Sequence, residues 1–137
     1  MMIQFISGGK GSGKTRKLID MANEEAAKEE MNLVFIDKSD KNRRDVVNSI
    51  RFVDLSEFYI YTWEMFFGFL GGLISGNYDI GKIYLDEIEK IARVNDTAEL
   101  VDLFAAVKKL SDKFDVDFIF TIDAVEVPKE IEEIINA

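Results

Sequence analysis

A glycine-rich segment, GGKGSGKT at residues 8–15, constrains the fold of this chain more than any other feature. It follows a short apolar run, residues 3–6, and precedes residues 14–30, which are rich in helix-forming residues. The segment matches the pattern G-x-x-x-x-G-K-[ST], which occurs where a buried strand turns directly into a helix. The sequence therefore predicts a strand–loop–helix unit at the start of an α/β fold.

The composition of this loop also indicates a ligand. Several backbone N–H groups can surround a phosphate chain only where side chains are small or absent, and glycine allows that approach. The helix N-terminus adds partial positive charge, Lys14 can reach the β- and γ-phosphates, and the Thr15 hydroxyl can bind Mg²⁺. We expect ATP with Mg²⁺, and an exposed Lys14 side chain. The expected nucleotide-binding residues of the segment are Gly8, Gly9, Lys10, Gly11, Ser12, Gly13, Lys14, Thr15 and Arg16.

Composition excludes several kinds of chemistry. The 137 residues include no cysteine and no histidine, which excludes thiolate nucleophiles, imidazole bases, disulfides and zinc sites built on these residues. Any metal must therefore be held by oxygen atoms. The length fits a single domain covering residues 1–137. The absence of cysteine and of a signal-peptide pattern favours the cytoplasm.

The net charge of −9 is unevenly distributed. Residues 1–51 contain ten Lys and Arg against eight Asp and Glu, whereas residues 52–137 contain seven against eighteen. The acidic part would repel a phosphate backbone, so nucleic acid is disfavoured as a partner.

Short apolar runs alternate with helical patterns along the chain. The predicted strands are residues 3–6, 33–36, 83–85 and 118–122, and the predicted helices are residues 14–30, 97–114 and a last helix that Pro128 begins. Runs that are apolar on both faces are typical of parallel strands covered by helices on both sides. Residues 39–60 are less informative, with a polar loop, a short helix near 44–50 and an extended piece near 52–60. The pattern predicts a three-layer α/β sandwich with a mainly parallel sheet.

A second motif, KIYLDEIEK at residues 82–90, places Asp86 at the end of a predicted strand. A strand of this kind resembles the Walker B element of P-loop nucleoside triphosphatases, in which the aspartate holds Mg²⁺. The acidic Glu87 follows directly. Thr15 and Asp86 are therefore the expected metal-binding residues.

With both motifs, the chain resembles a P-loop NTPase of the additional-strand, catalytic-glutamate division, the RecA-like group, with distant similarity to thymidine kinase-like cores. The resemblance implies that Glu87 activates the attacking water and that Lys14 acts with it in catalysis. It also implies that strand 118–122 is inserted beside the P-loop strand, which gives the core strand order 2-3-4-1. A polar residue at the end of that strand would sense the γ-phosphate; both Thr121 and Asp123 fit, and we favour Thr121.

The chain also departs from its possible relatives. Thymidine kinases carry a zinc ion bound by cysteines and a long loop. This chain has no cysteine to bind such a zinc, and it leaves little room for the loop. Arg93 is the only arginine in the sequence after residue 51, so an arginine-rich lid in the C-terminal half is not expected. The fifth strand of larger RecA-like cores is not evident, and the resemblance therefore implies a minimal core.

Two further segments allow more than one interpretation. Residues 63–76 fit either a core helix or a surface that docks a protein partner or a second copy, and they are too short to span a membrane. The segment KSDKNRRD, residues 38–45, fits either a solvated loop or a source of phosphate-contacting cations.

Three functions follow from these features. The first is Mg²⁺-dependent ATP hydrolysis, slow in the isolated protein. The second is a small nucleoside or metabolite kinase, in which Glu87 or Asp37 would act on a substrate hydroxyl. The third is a nucleotide-gated interaction module that docks through residues 63–76 without significant turnover.

Overall fold

The computed structural model describes residues 2–123 and 127–136. Strands and helices are interleaved along the described chain, although the second and third strands are joined only through a 3₁₀ turn and two helices precede the last strand. The strands are β1 Ile3–Ser7, β2 Asn32–Asp37, β3 Arg51–Asp54, β4 Ile80–Leu85 and β5 Asp117–Ile122. The helices are α1 Lys14–Ala26, α2 Trp63–Ser75, α3 Ile88–Ile91, α4 Thr97–Phe114 and α5 Lys129–Ile135, with 3₁₀ turns at Arg43–Asp45 and Leu55–Glu57.

The five strands form one parallel sheet in the order β1-β5-β4-β2-β3. The four strands predicted from the sequence keep the expected order, because β5 lies between the P-loop strand β1 and β4, and β2 follows β4. The α/β class and the parallel sheet are confirmed.

The prediction of a minimal core without a fifth strand is wrong. Strand β3 pairs with β2 in parallel, from Arg51 opposite Val34 to Asp54 opposite Asp37. It is only four residues long, begins and ends on charged residues, and lies at the edge of the sheet. Such a strand gives almost no apolar run, so its signal in the sequence is weak.

Both faces of the sheet are covered, because the strand side chains alternate between two clusters. On one face, Phe66 of α2 and Phe104 of α4 pack with strand residues such as Phe120, whose ring centroid lies 4.9 Å from that of Phe104. On the other face, Leu18 and Ile19 of α1 pack with strand residues including Phe35, Tyr84 and Ile119. The result is the predicted three-layer arrangement.

The helix boundaries follow local signals. Helix α4 covers residues 97–114 as predicted, and the Asp96 side chain caps it by accepting from Glu99 N at 2.9 Å. Helix α1 ends at Ala26, four residues before the predicted end, and Glu29 adopts a left-handed φ of 53° as the chain turns into β2. None of the described helices is both long enough and apolar enough to cross a bilayer.

The predicted helix at 44–50 is only a 3₁₀ turn, Arg43–Asp45. The side chain of Asn23, on α1, binds the backbone of this segment twice: its amide donates to Asp45 O at 2.8 Å and its carbonyl oxygen accepts from Val47 N at 3.0 Å. These bonds satisfy backbone groups that a helix would otherwise have paired.

Candidate functional site

A cavity of about 680 Å³ lies at the carboxyl end of the sheet, beside the start of α1. In parallel α/β sheets, ligands bind in the crevice outside the carboxyl ends of the strands. Of the site residues predicted from the sequence, those that line the cavity are Lys10, Gly11, Ser12, Gly13, Lys14, Thr15, Arg16, Glu87 and Asp123. Gly8 and Gly9 form the adjoining start of the loop, and Asp86 and Thr121 are buried beneath it.

The P-loop needs glycine for conformational reasons at two positions. Gly11 has a φ of 80° and Gly13 a φ of 82°, values that L side chains rarely adopt. Gly13 is also the residue immediately before α1, so the left-handed turn sends the chain directly into the helix. The first turn of that helix therefore begins with Lys14 and Thr15 at the cavity.

The Lys14 side chain is only 9% exposed, so the expectation of an exposed lysine is wrong. Its ammonium donates to Gly9 O at 3.0 Å and lies 3.4 Å from Asp123 Oδ1. With these contacts the side chain lies against the glycine loop, and it still lines the cavity.

The proposed metal ligands meet directly. Thr15 Oγ1 lies 3.1 Å and 3.0 Å from the two carboxylate oxygens of Asp86, which is 2% exposed. No cluster of three or more metal-binding side chains occurs within residues 2–123 and 127–136. One carboxylate and one hydroxyl suit Mg²⁺, which takes hard oxygen ligands and is commonly bound by one or two carboxylates together with substrate phosphates. The donor set therefore fits this ion.

Thr121 and Asp123 both belong to the site, at different depths. The fully buried Thr121 hydroxyl donates to Asp86 Oδ1 at 2.7 Å and accepts from Glu87 N at 2.6 Å. Asp123 lines the cavity and faces Lys14. Thr121 thus holds the two acidic residues from below, whereas Asp123 is the one that borders the ligand space.

Glu87 has a left-handed backbone conformation, and its carboxylate lies between two lysines. Its φ of 53° and ψ of 62° are left-handed, and its carbonyl oxygen accepts from Lys90 N and Ile91 N as α3 begins. Its carboxylate lies 2.9 Å from Lys38 Nζ and 2.6 Å from Lys90 Nζ. Burial would raise the pKa of Glu87, but the two lysines outweigh it and the pKa is lowered.

Lys90 is not among the site residues predicted from the sequence, and Lys38 is included only as part of the cationic segment 38–45. Both line the cavity. The available signal for Lys90 was its position three residues after Glu87, where a helical turn brings side chains together. Lys38 reaches the same carboxylate across 49 residues of sequence, and no local pattern predicts that contact.

The other candidates near the cavity are engaged elsewhere. Arg16 lies 3.5 Å from Asp20 and 4.0 Å from Asp45. Asp37 accepts from Lys38 N and from Asn42 Nδ2, and burial raises its pKa. Asp37, the alternative kinase base, therefore orders the loop that follows β2.

Arg43 and Arg44 fall in the 3₁₀ turn outside the cavity lining. The Arg43 guanidinium lies 4.8 Å from the Phe52 ring centroid and 3.9 Å from Glu57. Its contacts are those of a surface side chain packed on the edge strand.

The charge of the cavity opposes that of the chain. Its lining includes six lysine or arginine side chains and three carboxylates, an excess of three positive charges in a chain of net charge −9. Positive charge focused in a cleft attracts anionic ligands. A polyphosphate is the ligand class that this lining favours.

The apolar segment 63–76 forms α2, Trp63–Ser75. Phe66, Leu70 and Ile74 are buried in the core, which agrees with the interpretation as a core helix. Met65, at 44% exposed, lies on the outer side. A docking role for this outer side stays a prediction.

Comparison with known proteins agrees with the fold. No protein-family model matches the sequence, and no curated protein matches it. The structure is similar to the crystal structure of the KaiC-like protein PH0186 from the hyperthermophilic archaeon Pyrococcus horikoshii OT3, with a TM-score of 0.72 and 14% sequence identity. The match covers 98% of this chain and 69% of that one. At this identity the likeness shows a shared fold.

Proposed function

We propose that this protein binds ATP with Mg²⁺ and hydrolyses it, and that residues 1–137 act as one domain in the cytoplasm. The observation that carries the proposal is the direct contact between the Thr15 hydroxyl and the buried Asp86 carboxylate beside the glycine loop. Bound at these two residues, Mg²⁺ would neutralise charge on the β- and γ-phosphates.

The remaining residues have separate roles. Lys14 exchanges Gly9 O and Asp123 for the phosphate oxygens, and its charge offsets the negative charge of the transferring group. Glu87 orients a water and accepts its proton. The water oxygen bonds to the γ-phosphorus as the bond to the bridging oxygen breaks, and the products are ADP and phosphate.

Calorimetric titration of ATP with Mg²⁺ tests binding. Lys14→Ala should lose most of the affinity, because it removes an ammonium group that lies against the glycine loop, 3.0 Å from Gly9 O. Lys17→Ala is the matched control, since Lys17 is exposed on α1 and outside the cavity lining. Equal affinity for wild type and Lys14→Ala would contradict the proposal.

The two acidic residues are distinguished by a second experiment. Glu87→Gln keeps the shape and removes the base, so it should bind ATP and release little phosphate. Asp86→Asn should instead weaken the Mg²⁺-dependent part of binding. Identical defects in both variants would contradict the separate roles.

A kinase is the second candidate, and one observation favours it. A smaller cavity of about 220 Å³ adjoins the first, shares Lys38 and Lys90 with it, and is also lined by Ser56 and Arg93. It could hold a phosphoryl acceptor. Phosphate transfer that occurs only when a nucleoside or sugar is added, with the phosphate recovered on that compound, would favour the kinase over the hydrolase.

A nucleotide-gated interaction module is supported by a cavity of about 580 Å³ between α2 and α4, lined by Trp63, Phe67 and Leu110 among others. Docking of a second copy there would make any turnover depend on the concentration of this protein, and docking of a different protein would make it depend on the concentration of that partner. Specific activity measured across a hundredfold dilution tests this, and a constant value indicates a self-sufficient monomer.

A further inference from the structure

Two lysines converge on Glu87 from different elements. Lys38 follows directly after β2, and Lys90 lies on α3. Their ammonium groups lie 2.9 Å and 2.6 Å from the two carboxylate oxygens of Glu87. Glu87 is the residue to which the proposed function assigns the attacking water, so both cations stand beside the position of the chemistry.

The ion pairs continue to the P-loop. Lys90 Nζ also lies 3.8 Å from Asp123 Oδ2, and Asp123 Oδ1 lies 3.4 Å from Lys14 Nζ. Lysine and carboxylate therefore alternate from Lys38 through Glu87, Lys90 and Asp123 to Lys14. All five side chains line the 680 Å³ cavity.

This arrangement bears on a problem of charge. The γ-phosphate of ATP must lie near the water that Glu87 holds, yet a phosphate and a carboxylate repel each other at that range. A cation that can reach both anions removes the repulsion. The side chains of Lys38 and Lys90 are 48% and 49% exposed, and lysine's flexible stem allows the ammonium to move between partners.

Arg16, the arginine in the cavity lining, is not positioned for this task. Its guanidinium faces Asp20 and Asp45, at 3.5 Å and 4.0 Å. Among the described residues, Lys38 and Lys90 are the cations in contact with Glu87.

We propose that Lys38 and Lys90 exchange the Glu87 carboxylate for the terminal phosphate of ATP, and that this exchange is how the site distinguishes ATP from ADP. The inference rests on the proposed function. ADP lacks the terminal phosphate and leaves both lysines on Glu87. When ATP is bound, its terminal phosphate pairs with the two lysines, and the Glu87 carboxylate is then available to hold the water.

The test is the ratio of affinities for a non-hydrolysable ATP analogue and for ADP, both with Mg²⁺, measured by calorimetry. In Lys38→Ala/Lys90→Ala the ratio should fall by roughly tenfold, the effect of losing one or two charge-assisted bonds of partly exposed groups. In Glu87→Gln the ratio should rise, because the lysines are no longer held by a carboxylate. Lys17→Ala is the control and keeps the wild-type ratio.

The outcomes separate the two proposals. An unchanged ratio in Lys38→Ala/Lys90→Ala, or a lowered ratio in Glu87→Gln, overturns the inference while ATP binding by the wild type and its loss in Lys14→Ala sustain the proposed function. A wild type that binds neither nucleotide overturns both. Equal thermal midpoints for the lysine variants and wild type show that the fold is retained.

Discussion

Thr121→Val probes the buried part of the site. The residue Thr121 is 0% exposed. Its hydroxyl donates to Asp86 Oδ1 at 2.7 Å and accepts from Glu87 N at 2.6 Å. Valine keeps the branched shape of threonine but offers neither a donor nor an acceptor. The substitution therefore removes both bonds without opening a cavity.

The magnitude follows from the two bonds. Losing a bond to an ionised carboxylate costs about 1.5–3 kcal/mol, and leaving the Glu87 N–H unpaired costs about 1–3 kcal/mol. Burying an extra methyl group offsets about 0.8 kcal/mol. The net loss is about 3 kcal/mol in the free energy of unfolding. At about 2.1 cal/mol/K of unfolding entropy per residue, this lowers the thermal midpoint of the 137-residue chain by about 10 °C.

Calorimetric or circular-dichroism melting of the two proteins measures this change. Thr121→Ser is the matched control, because it keeps the hydroxyl and loses only a methyl group, at a cost of about 1 kcal/mol. A Thr121→Val midpoint within 2–3 °C of wild type, roughly a quarter of the expected shift, would refute the reasoning that the hydroxyl stabilises Asp86 and Glu87.

Two further predictions concern stability outside the cavity. Asp96→Ala removes the side-chain cap of α4 and should cost about 1 kcal/mol in urea unfolding, whereas Asp96→Ser should retain most of the stability because serine also caps; equal losses would contradict the capping role. The hydrogen bond with Lys82 lowers the pKa of Glu25 from its ordinary value of 4.5, so this pair stabilises the fold at neutral pH and the contribution is lost as pH falls below that value. Glu25→Gln should therefore be less stable than wild type at pH 7, with a difference that shrinks in acid; a difference independent of pH would contradict the ion pair.

The sequence predicted the features that depend on local patterns. The P-loop is one continuous segment with its own glycine requirements, and α4 has a capping residue followed by a regular apolar stripe. The strand order also followed, once the resemblance placed strand 118–122 beside the P-loop strand. The glycine turn and helix α4 could be predicted because neighbouring residues carry the physical cause, whereas the strand order depended on the resemblance.

What the sequence did not predict depends on contacts between distant residues. The sequence predicts strand β3 only as an extended piece near 52–60 and not as a fifth strand of the sheet, because β3 is stabilised by its pairing with β2 rather than by an apolar run of its own. The 3₁₀ turn at Arg43–Asp45 is held by Asn23 from another element. Lys38 meets Glu87 only because β2 and β4 are neighbours in the sheet.

The two hydrogen bonds of Asn23 connect helix α1 directly to the segment that precedes strand β3. Its first turn carries Lys14 and Thr15 at the cavity, and its third turn holds the chain at Asp45 and Val47, a few residues before the edge strand β3. A displacement of α1 by a ligand would therefore also move the segment before β3, which lies at the opposite edge of the sheet from the P-loop strand β1. The Val47 amide, which donates to Asn23 Oδ1, is a natural reporter, and its hydrogen-exchange rate with and without nucleotide would measure the movement from outside the cavity.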